Sequence, residues 1–390
     1  MTSPARKKIK WKYYVNYAVV GALTVLFGIL SVAGGLDQGT QFLLEKIGIS
    51  IILAVSLSLV VGFLGELSLG HAGFMCVGAY LGGKLSVVLV RAMGNGIPAL
   101  LLSVLVGGIV AALCGVVIGL PALRLKGDYL AIVTLAFGEI VKSVFQNTNQ
   151  ETFGGALGMA TPRYDRNTLF ILEFVLVLAT LAVVQNLIRS RHGRAITAIR
   201  DSEIAARATG INVTKYKLLV FTVSAFFAGV AGVLYSYGNN MVQSAKFGYN
   251  YSIEILVMVV LGGMGSVNGS IIAAALITFL NLKLATVLTG NLAVLQNMVY
   301  ALVLILIVIY NNAPALKGFR EKYNLRRLID KLFKRRKDPA FVREDEASWE
   351  RIPTKIEMDE LLSVDLRPGE YPEGEIPEKP DQPSDGKESR

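Results

Sequence analysis

The polar stretch GELSLGHAGF, residues 65–74, interrupts an otherwise apolar part of the chain. It places Glu66, Ser68 and His71 among glycines. Ionisable groups inside apolar segments are costly, and they usually face the protein interior or a water-filled cavity. We therefore expect His71 to be a buried neutral imidazole that exchanges hydrogen bonds, with Ser68, three residues earlier, as a partner within reach.

A second glycine-rich break, LGGMGSVNGS, covers residues 261–270 and includes Gly265. Paired breaks in two halves of a membrane chain indicate repeats around a transport path. This pattern predicts that Glu66, Ser68, His71 and Gly265 line such a path. The alternative is that the glycines only allow helices to pack closely.

The residue types do not indicate metal binding, phosphate binding or catalysis. His71 and His192 are the only histidines, so the sequence excludes a histidine-rich metal site. Cys76 and Cys114 lie in apolar segments and are predicted to pack as small hydrophobic side chains. The phosphate-binding pattern GxxxxGK[ST] is absent, because Lys84, which follows two glycines, is itself followed by a leucine. We therefore predict no cofactor, no metal site and no catalytic residues.

The composition predicts a helical membrane protein. The 390 residues are 53% hydrophobic, the mean hydropathy is +0.51, and several charge-free runs exceed the about 20 residues that cross a bilayer as a helix. The fold class is therefore all-α, a polytopic transmembrane helical bundle with broken segments. Ten candidate spans cover residues 13–33, 47–63, 74–90, 98–120, 129–145, 169–188, 217–237, 253–262, 270–288 and 292–310. The first run is too long for a cleavable signal peptide.

Basic residues set the expected orientation. They cluster at the N-terminus, in an insert at residues 190–217 and at residues 317–337, and the positive-inside rule places all three in the cytoplasm. Parity then favours ten crossings, with eight as the alternative. The net charge of +10 sits beside predicted spans, which argues for the lipid bilayer and against nucleic acid as a partner.

Four segments follow from these patterns. Residues 1–12 form a basic cytoplasmic N-terminus, and residues 13–315 form the transmembrane domain. Residues 316–338 have the spacing of a basic amphipathic helix on the inner leaflet. Residues 339–390 are acidic and contain several prolines, a composition typical of a disordered tail.

The charged insert is predicted to form short helices. In HGRAITAIRDSEIAARATGI, residues 192–211, Asp201 or Ser202 can cap a helix whose first turn contains Glu203. Gly210 permits a turn that other residues resist. An ordinary solvated loop is the alternative. However, connections within bundles usually have about 2–8 residues, so we expect this insert to dock a cytoplasmic partner.

The insert also carries a family resemblance. The sequence EIAARATGI, residues 203–211, resembles the coupling loop of ABC-importer permeases. GELSLGHAGFMCVGAY (65–80) is similar to a signature of both permease subunits of branched-chain amino acid importers. RLKGDYLAIVTLAFGEI (124–140), ETFGGALGM (151–159) and residues 194–235 resemble the LivM-type subunit. The resemblance covers about residues 13–312.

This resemblance implies a subunit of a larger machine in a bacterial or archaeal plasma membrane. Its partners would be two cytoplasmic ATPase subunits that bind the ATP, a sister permease of LivH type and an external solute-binding protein. The residues that would couple this chain to the ATPases are Arg194, Arg200, Asp201, Glu203, Ala205, Ala206 and Gly210.

Three alternatives compete with a branched-chain amino acid permease. The first is a permease of the same class for urea, amides or other amino acids. The second is a secondary transporter or channel, but an ion-coupled carrier needs buried carboxylates, and Glu139 and Glu254 lie near span ends. Glu139 and Lys142 are instead predicted to pair on one helical face. The third, a membrane enzyme, lacks catalytic groups.

Overall fold

The computed structural model describes residues 37–287 except 95, 126, 163 and 240, together with residues 20–22, 27–28, 298, 301–302 and 305. The predicted N-terminal segment 1–12 and the tail segments 316–338 and 339–390 lie outside the described residues. So do most of the predicted spans 13–33 and 292–310.

The first described helix, α1 (Gln38–Ser58), starts where the side chain of Asp37 accepts a hydrogen bond from the amide of Gly39 at 3.1 Å. It continues as a π-helical turn (Leu59–Leu64) and ends at Gly65, whose φ of +81° suits a residue without a Cβ. Residues 65–70 are not helical. The predicted break is therefore a real interruption between two helices.

A second, continuous helical segment starts directly after this break. It consists of α2 (His71–Val77), a π-helical segment (Gly78–Gly82) and α3 (Gly83–Met93). Next come α4 (Ile97–Ala122), α5 (Asp128–Gln146), the one-turn α6 (Gln150–Phe153), a 3-10 turn (Gly155–Leu157) and β1 (Met159–Ala160).

The second half of the described chain is also helical. It comprises α7 (Arg166–Arg189), α8 (Arg191–Asp201), α9 (Glu203–Ala208), α10 (Val213–Asn239), β2 (Met241–Val242), a 3-10 turn (Ser244–Phe247), α11 (Tyr249–Gly262) and α12 (Val267–Val287). The two short strands pair antiparallel, with Met159 opposite Val242. The prediction of an all-α bundle is confirmed, since these four residues are the only strand in the part of the chain described.

Helices α1 and α10 form the centre of the bundle. Of the apolar window in the first span, Gln38–Leu64, 89% is buried, against 28% for Val267–Val287. Helix α10 packs against α1, α2 and α4, while α12 packs on the other side of α1. Helix α4 exposes large apolar side chains along its length: Leu101, Leu105, Ile109, Leu113, Val117 and Leu120. That surface suits lipid or another apolar subunit.

Six of the described helices are long and apolar enough to cross a membrane: Gln38–Leu64, His71–Met93, Ile97–Ala122, Arg166–Arg189, Val213–Asn239 and Val267–Val287. Two further predicted spans, 129–145 and 253–262, coincide with α5 and α11. Helix α11 has 14 residues and extends about 21 Å, less than the ~30 Å hydrocarbon core. The total of ten or eight crossings stays a prediction.

Close packing explains part of the first break. A Cβ added to Gly73 on α2 would lie 2.7 Å from the Cα of Gly138 on α5. A Cβ added to Gly138 would find its nearest neighbour at 3.8 Å. A Cβ would therefore collide at Gly73 but fit at Gly138, and small residues at this interface let the two helix backbones approach closely.

We predict that Gly73→Ala lowers the free energy of unfolding by about 1–3 kcal/mol, since a methyl group must push α2 and α5 apart. Gly138→Ala adds the same methyl group to the same interface, but into ordinary contact distance, and should leave stability nearly unchanged. Unfolding of the purified chain in mixed detergent micelles measures both. Equal stability of the two variants would contradict the asymmetric packing.

Candidate functional site

The charged insert folds into two short helices, as predicted. The side chain of Ser190 caps α8 by accepting hydrogen bonds from the amides of His192 and Gly193 at 3.1 and 3.3 Å. Ser202 caps α9 by accepting one from Ala205 at 3.3 Å. Of the two predicted caps, Ser202 is therefore the correct one, and Asp201 ends the preceding helix.

A left-handed residue returns the chain from these helices to the bundle. Gly210 follows α9 with a φ of +83°, and its amide hydrogen-bonds to the carbonyl of Arg207 at 3.0 Å. This confirms the predicted turn. The neighbouring Ile211 donates to the carbonyl of Ala206 at 3.0 Å, which closes the end of the helix.

A buried ammonium group joins the insert to the first break. Lys217, near the start of α10, has a side chain that is only 4% exposed. Its Nζ donates to Glu66 in the break, and it donates to Glu203 on α9 at 3.2 Å. Glu203 also accepts from Arg207 at 2.5 Å, one helical turn later. We call Glu66, Glu203 and Lys217 the lysine cluster.

The electrostatics of the lysine cluster favour the ionised form of Glu203. Partial burial alone would raise the pKa of this carboxyl, but the hydrogen bond and charge of Lys217, with the guanidinium of Arg207, hold it below its ordinary value. Breaking a buried ion pair by removing one partner is costly, since a charge is left without compensation. Removal of one charged partner would therefore weaken the contact between the three segments that meet at Lys217.

Arg200 makes a second connection from the insert. Its guanidinium donates to the backbone carbonyl of Gly62 at 3.3 Å and pairs with Asp201 at 2.9 Å. A Cβ added to Gly65 would lie 2.7 Å from the Arg200 Cγ, and one added to Gly265 would lie 3.6 Å from its Nη1. Both glycine-rich breaks therefore meet at the predicted coupling residue Arg200.

The remaining predicted coupling residues divide into a buried and an exposed face. Ala206 is buried against the bundle, whereas Arg194 and Ala205 are exposed. Ile204, which directly precedes Ala205 in α9, has an apolar side chain that is 81% exposed. Helix α9 thus presents small and apolar groups outward while its inner side carries the lysine cluster.

His71 lies inside the protein rather than against lipid, as predicted, because only 2% of it is exposed. The predicted partner, Ser68, is wrong. The imidazole Nε2 instead lies 2.9 Å from the hydroxyl of Ser56 on α1. Ser68 belongs to the non-helical segment 65–70, so the three-residue spacing of a helix does not apply to it.

The backbone of the break is held by side chains from other helices. The amide of Leu69 donates to Thr134 on α5 at 3.0 Å, and that of Ala72 donates to Ser252 on α11 at 3.1 Å. Helix starts leave such donors without partners in their own helix, and burying them unpaired is costly. The hydroxyls therefore stabilise this interruption without locking it into a regular helix.

The four predicted pathway residues thus divide between the interior of the bundle and the contact with the insert. Ser68 and His71 are buried within the bundle, while Glu66 belongs to the lysine cluster and Gly265 adjoins Arg200. Their role as a path lining stays a prediction. What the structure brings together is the start of the break and the insert helices α8 and α9.

Sequence reasoning missed Lys217 as a site residue, although a signal was present. Lys217 is the last charge before a long apolar run, and a lysine on a helical face near apolar residues usually needs a carboxylate partner. The hydroxyls of Ser56, Thr134 and Ser252 had no such signal, because serine and threonine are common in apolar helices. The predicted pair of Glu139 and Lys142 is confirmed at 2.9 Å.

Comparison with known proteins relates the sequence of this chain to permeases. Residues 39–308 match the family described as "Branched-chain amino acid transport system / permease component". The chain is 35% identical over 304 residues to the high-affinity branched-chain amino acid transport system permease protein LivM of Salmonella typhimurium, covering 69% of this chain and 67% of that protein.

Other relatives extend this result. The LivM protein of Escherichia coli is 36% identical over 62% of each chain, so the match leaves more than a third of that relative uncovered. The ribose import permease protein RbsC of Escherichia coli is 30% identical over 41% of this chain and 47% of its own. The comparison with solved structures finds no match.

We predict that Lys217→Met lowers the free energy of unfolding by about 3 kcal/mol, because Glu66 would lose its buried cation and Glu203 would keep only Arg207. Lys215→Met, at an exposed position two residues earlier, should change stability by less than about 0.5 kcal/mol. Denaturation in mixed micelles compares the two. A loss for Lys217→Met no larger than for the control would show that the cluster does not join these segments.

Proposed function

The chain belongs to the family of permease components of branched-chain amino acid transport systems, and we propose that it is the membrane subunit through which ATP hydrolysis in partner subunits drives import. The observation that carries this proposal is the lysine cluster. It connects an exposed pair of short helices to the break between the first two described membrane helices.

The insert has the properties of a docking element. Its helices are capped at both starts, so they keep their shape without a partner. The outer face of α9 carries Ile204, Ala205 and Arg207, which are exposed. A partner ATPase that seats on this face can move α9 as a unit.

The lysine cluster would transmit that movement. Lys217 holds Glu203 on α9 and Glu66 in the break at the same time. Arg200 would transmit the movement to the same segment, because its guanidinium donates a hydrogen bond to the carbonyl of Gly62. Closure of the ATPases would therefore pull on residues 62–66, the hinge between α1 and α2, and change access to the polar interior around His71.

The chain's partners in this proposal follow from the same argument. The sequence of this chain contains no GxxxxGK[ST] phosphate-binding loop, so two ATPase subunits would supply ATP hydrolysis. A sister permease of LivH type would complete the pathway, and an external binding protein would deliver the solute. The basic insert, the N-terminus and the tail would face the cytoplasm of a bacterial or archaeal cell.

The proposed solute is a branched-chain amino acid, as the names of the LivM relatives state for those proteins. The ribose permeases match a smaller share of the chain, which favours an amino acid over a sugar. Urea, amides or other amino acids remain the alternative within the same class of importer.

We predict that Glu203→Lys and Gly210→Pro each lower ATP-dependent leucine uptake by about tenfold or more, which corresponds to a coupling loss of about 1.4 kcal/mol. Glu203→Lys places a cation beside Lys217. Gly210→Pro forces φ to about −65° where the native φ is +83°. Uptake and ATPase activity of the reconstituted transporter are measured together, and ATP hydrolysis should no longer respond to the loaded binding protein.

The control is Lys215→Glu, a charge reversal at an exposed position of the same region. It should retain uptake and substrate-stimulated hydrolysis. Normal coupled transport by both Glu203→Lys and Gly210→Pro would refute the coupling role of the insert. Failure of the unmodified transporter to import leucine would refute the proposed solute.

A further inference from the structure

A polar cavity lies at the end of the bundle opposite the coupling helices. Its volume is about 390 Å³, within the range typical of small-molecule sites. Its walls come from the starts of α1 and α7 and the end of α10, and they include Gln41, Glu45, Tyr164, Arg166, Leu169 and Tyr237. The lysine cluster lies where α1 ends and α10 begins, so the two sites occupy opposite ends of the same central helices.

One wall of the cavity contains the buried carboxylate of Glu45. Glu45 is 2% exposed, and its Oε1 has no hydrogen-bond partner among the described residues. The nearest cation is Arg166, whose Nε lies 3.6 Å from that oxygen, beyond hydrogen-bonding distance. A buried carboxylate oxygen without a donor is costly, and such a group in a cavity indicates a missing donor.

The cation adjacent to Glu45 in sequence is already engaged elsewhere. The Nζ of Lys46 donates to the side chain of Asn239 at 3.0 Å and lies 3.9 Å from the centre of the Tyr235 ring. Lys46 therefore points away from the cavity, and it does not supply the donor that Glu45 lacks. A second acid, Glu173, is buried nearby. The donor that this carboxylate oxygen lacks must therefore come from outside the described residues.

The opposite wall has a different chemistry. Arg166 is 38% exposed in its side chain, so its guanidinium combines contact with the cavity and access to solvent. Next to it, the rings of Tyr164 and Tyr237 meet edge to face with centroids 6.0 Å apart, and Leu169 adds an aliphatic surface. An anion, a cation and an apolar group would each find a complementary partner here.

We propose that this cavity is a low-affinity entry site for a zwitterionic aliphatic α-amino acid. The α-ammonium group donates to Glu45, the α-carboxylate accepts from Arg166, and the side chain packs against Leu169 and the two tyrosine rings. This inference rests on the proposed function and adds the residues that recognise the solute. With the insert facing the cytoplasm, as proposed above, the site would lie at the end of the bundle where a solute released outside the cell first meets the chain.

The test uses the complete transporter in lipid nanodiscs, without binding protein, and saturation-transfer NMR with three ligands. L-leucine carries both charges, isoamylamine lacks the carboxylate and 4-methylpentanoate lacks the ammonium. The unmodified transporter should bind leucine best. Glu45→Gln should weaken leucine and isoamylamine by about tenfold or more while 4-methylpentanoate is unaffected, since charge-assisted hydrogen bonds are the strong ones. Arg166→Gln should instead weaken leucine and 4-methylpentanoate by about tenfold or more while isoamylamine is unaffected.

The matched control is Glu254→Gln. This carboxylate accepts a hydrogen bond from Asn281 at 2.9 Å and lies away from the cavity, so all three affinities should stay unchanged. The inference is overturned if the unmodified transporter does not bind leucine, or if Glu45→Gln binds all three ligands as the unmodified protein does. Leucine uptake by the unmodified transporter would then still support the proposed function, so the two failures are distinguishable.

Discussion

A buried ammonium group must keep its counter-charges, and this constraint connects the parts of the structure that bear on function. Lys217 lies at the base of the central helix α10, where water cannot replace a lost carboxylate. Its two partners come from different segments, Glu66 from the break and Glu203 from α9 of the insert. A displacement of either segment must therefore be followed by the other, or the free energy of the whole cluster rises.

The break itself is built to respond to such a displacement. Two of its amides, those of Leu69 and Ala72, donate to hydroxyl groups of α5 and α11 rather than to a preceding helical turn, and single side-chain hydrogen bonds exchange more readily than a helical ladder. At its start, Gly65 adopts a backbone conformation that leaves room for Arg200. The same segment leads into His71, which is bonded to Ser56 in the interior. In the proposed mechanism, a movement of the insert would reach the polar interior through this covalent connection.

Local signals in the sequence predicted much of this arrangement. Apolar runs bounded by charges indicated the helices, and Ser202 and Gly210 indicated the start and end of α9. The docking role of the insert stays a prediction. Partners distant in the chain could not be predicted in this way. The bond of His71 to Ser56 spans fifteen residues and that of Lys217 to Glu66 spans 151. The cavity around Glu45 likewise depends on three helix ends that only the folded chain brings together.

Hydrogen exchange at the break tests the central claim most directly. We expect a non-hydrolysable ATP analogue to change the exchange rates of the Leu69 and Ala72 amides in the assembled transporter, because closure of the ATPases moves Glu203, Lys217 and Glu66 together. In a Glu66→Gln transporter that still binds its ATPases, the same nucleotide should no longer change these two rates. An unmodified transporter with no nucleotide response at these amides, or a Glu66→Gln transporter with the full response, would contradict the account.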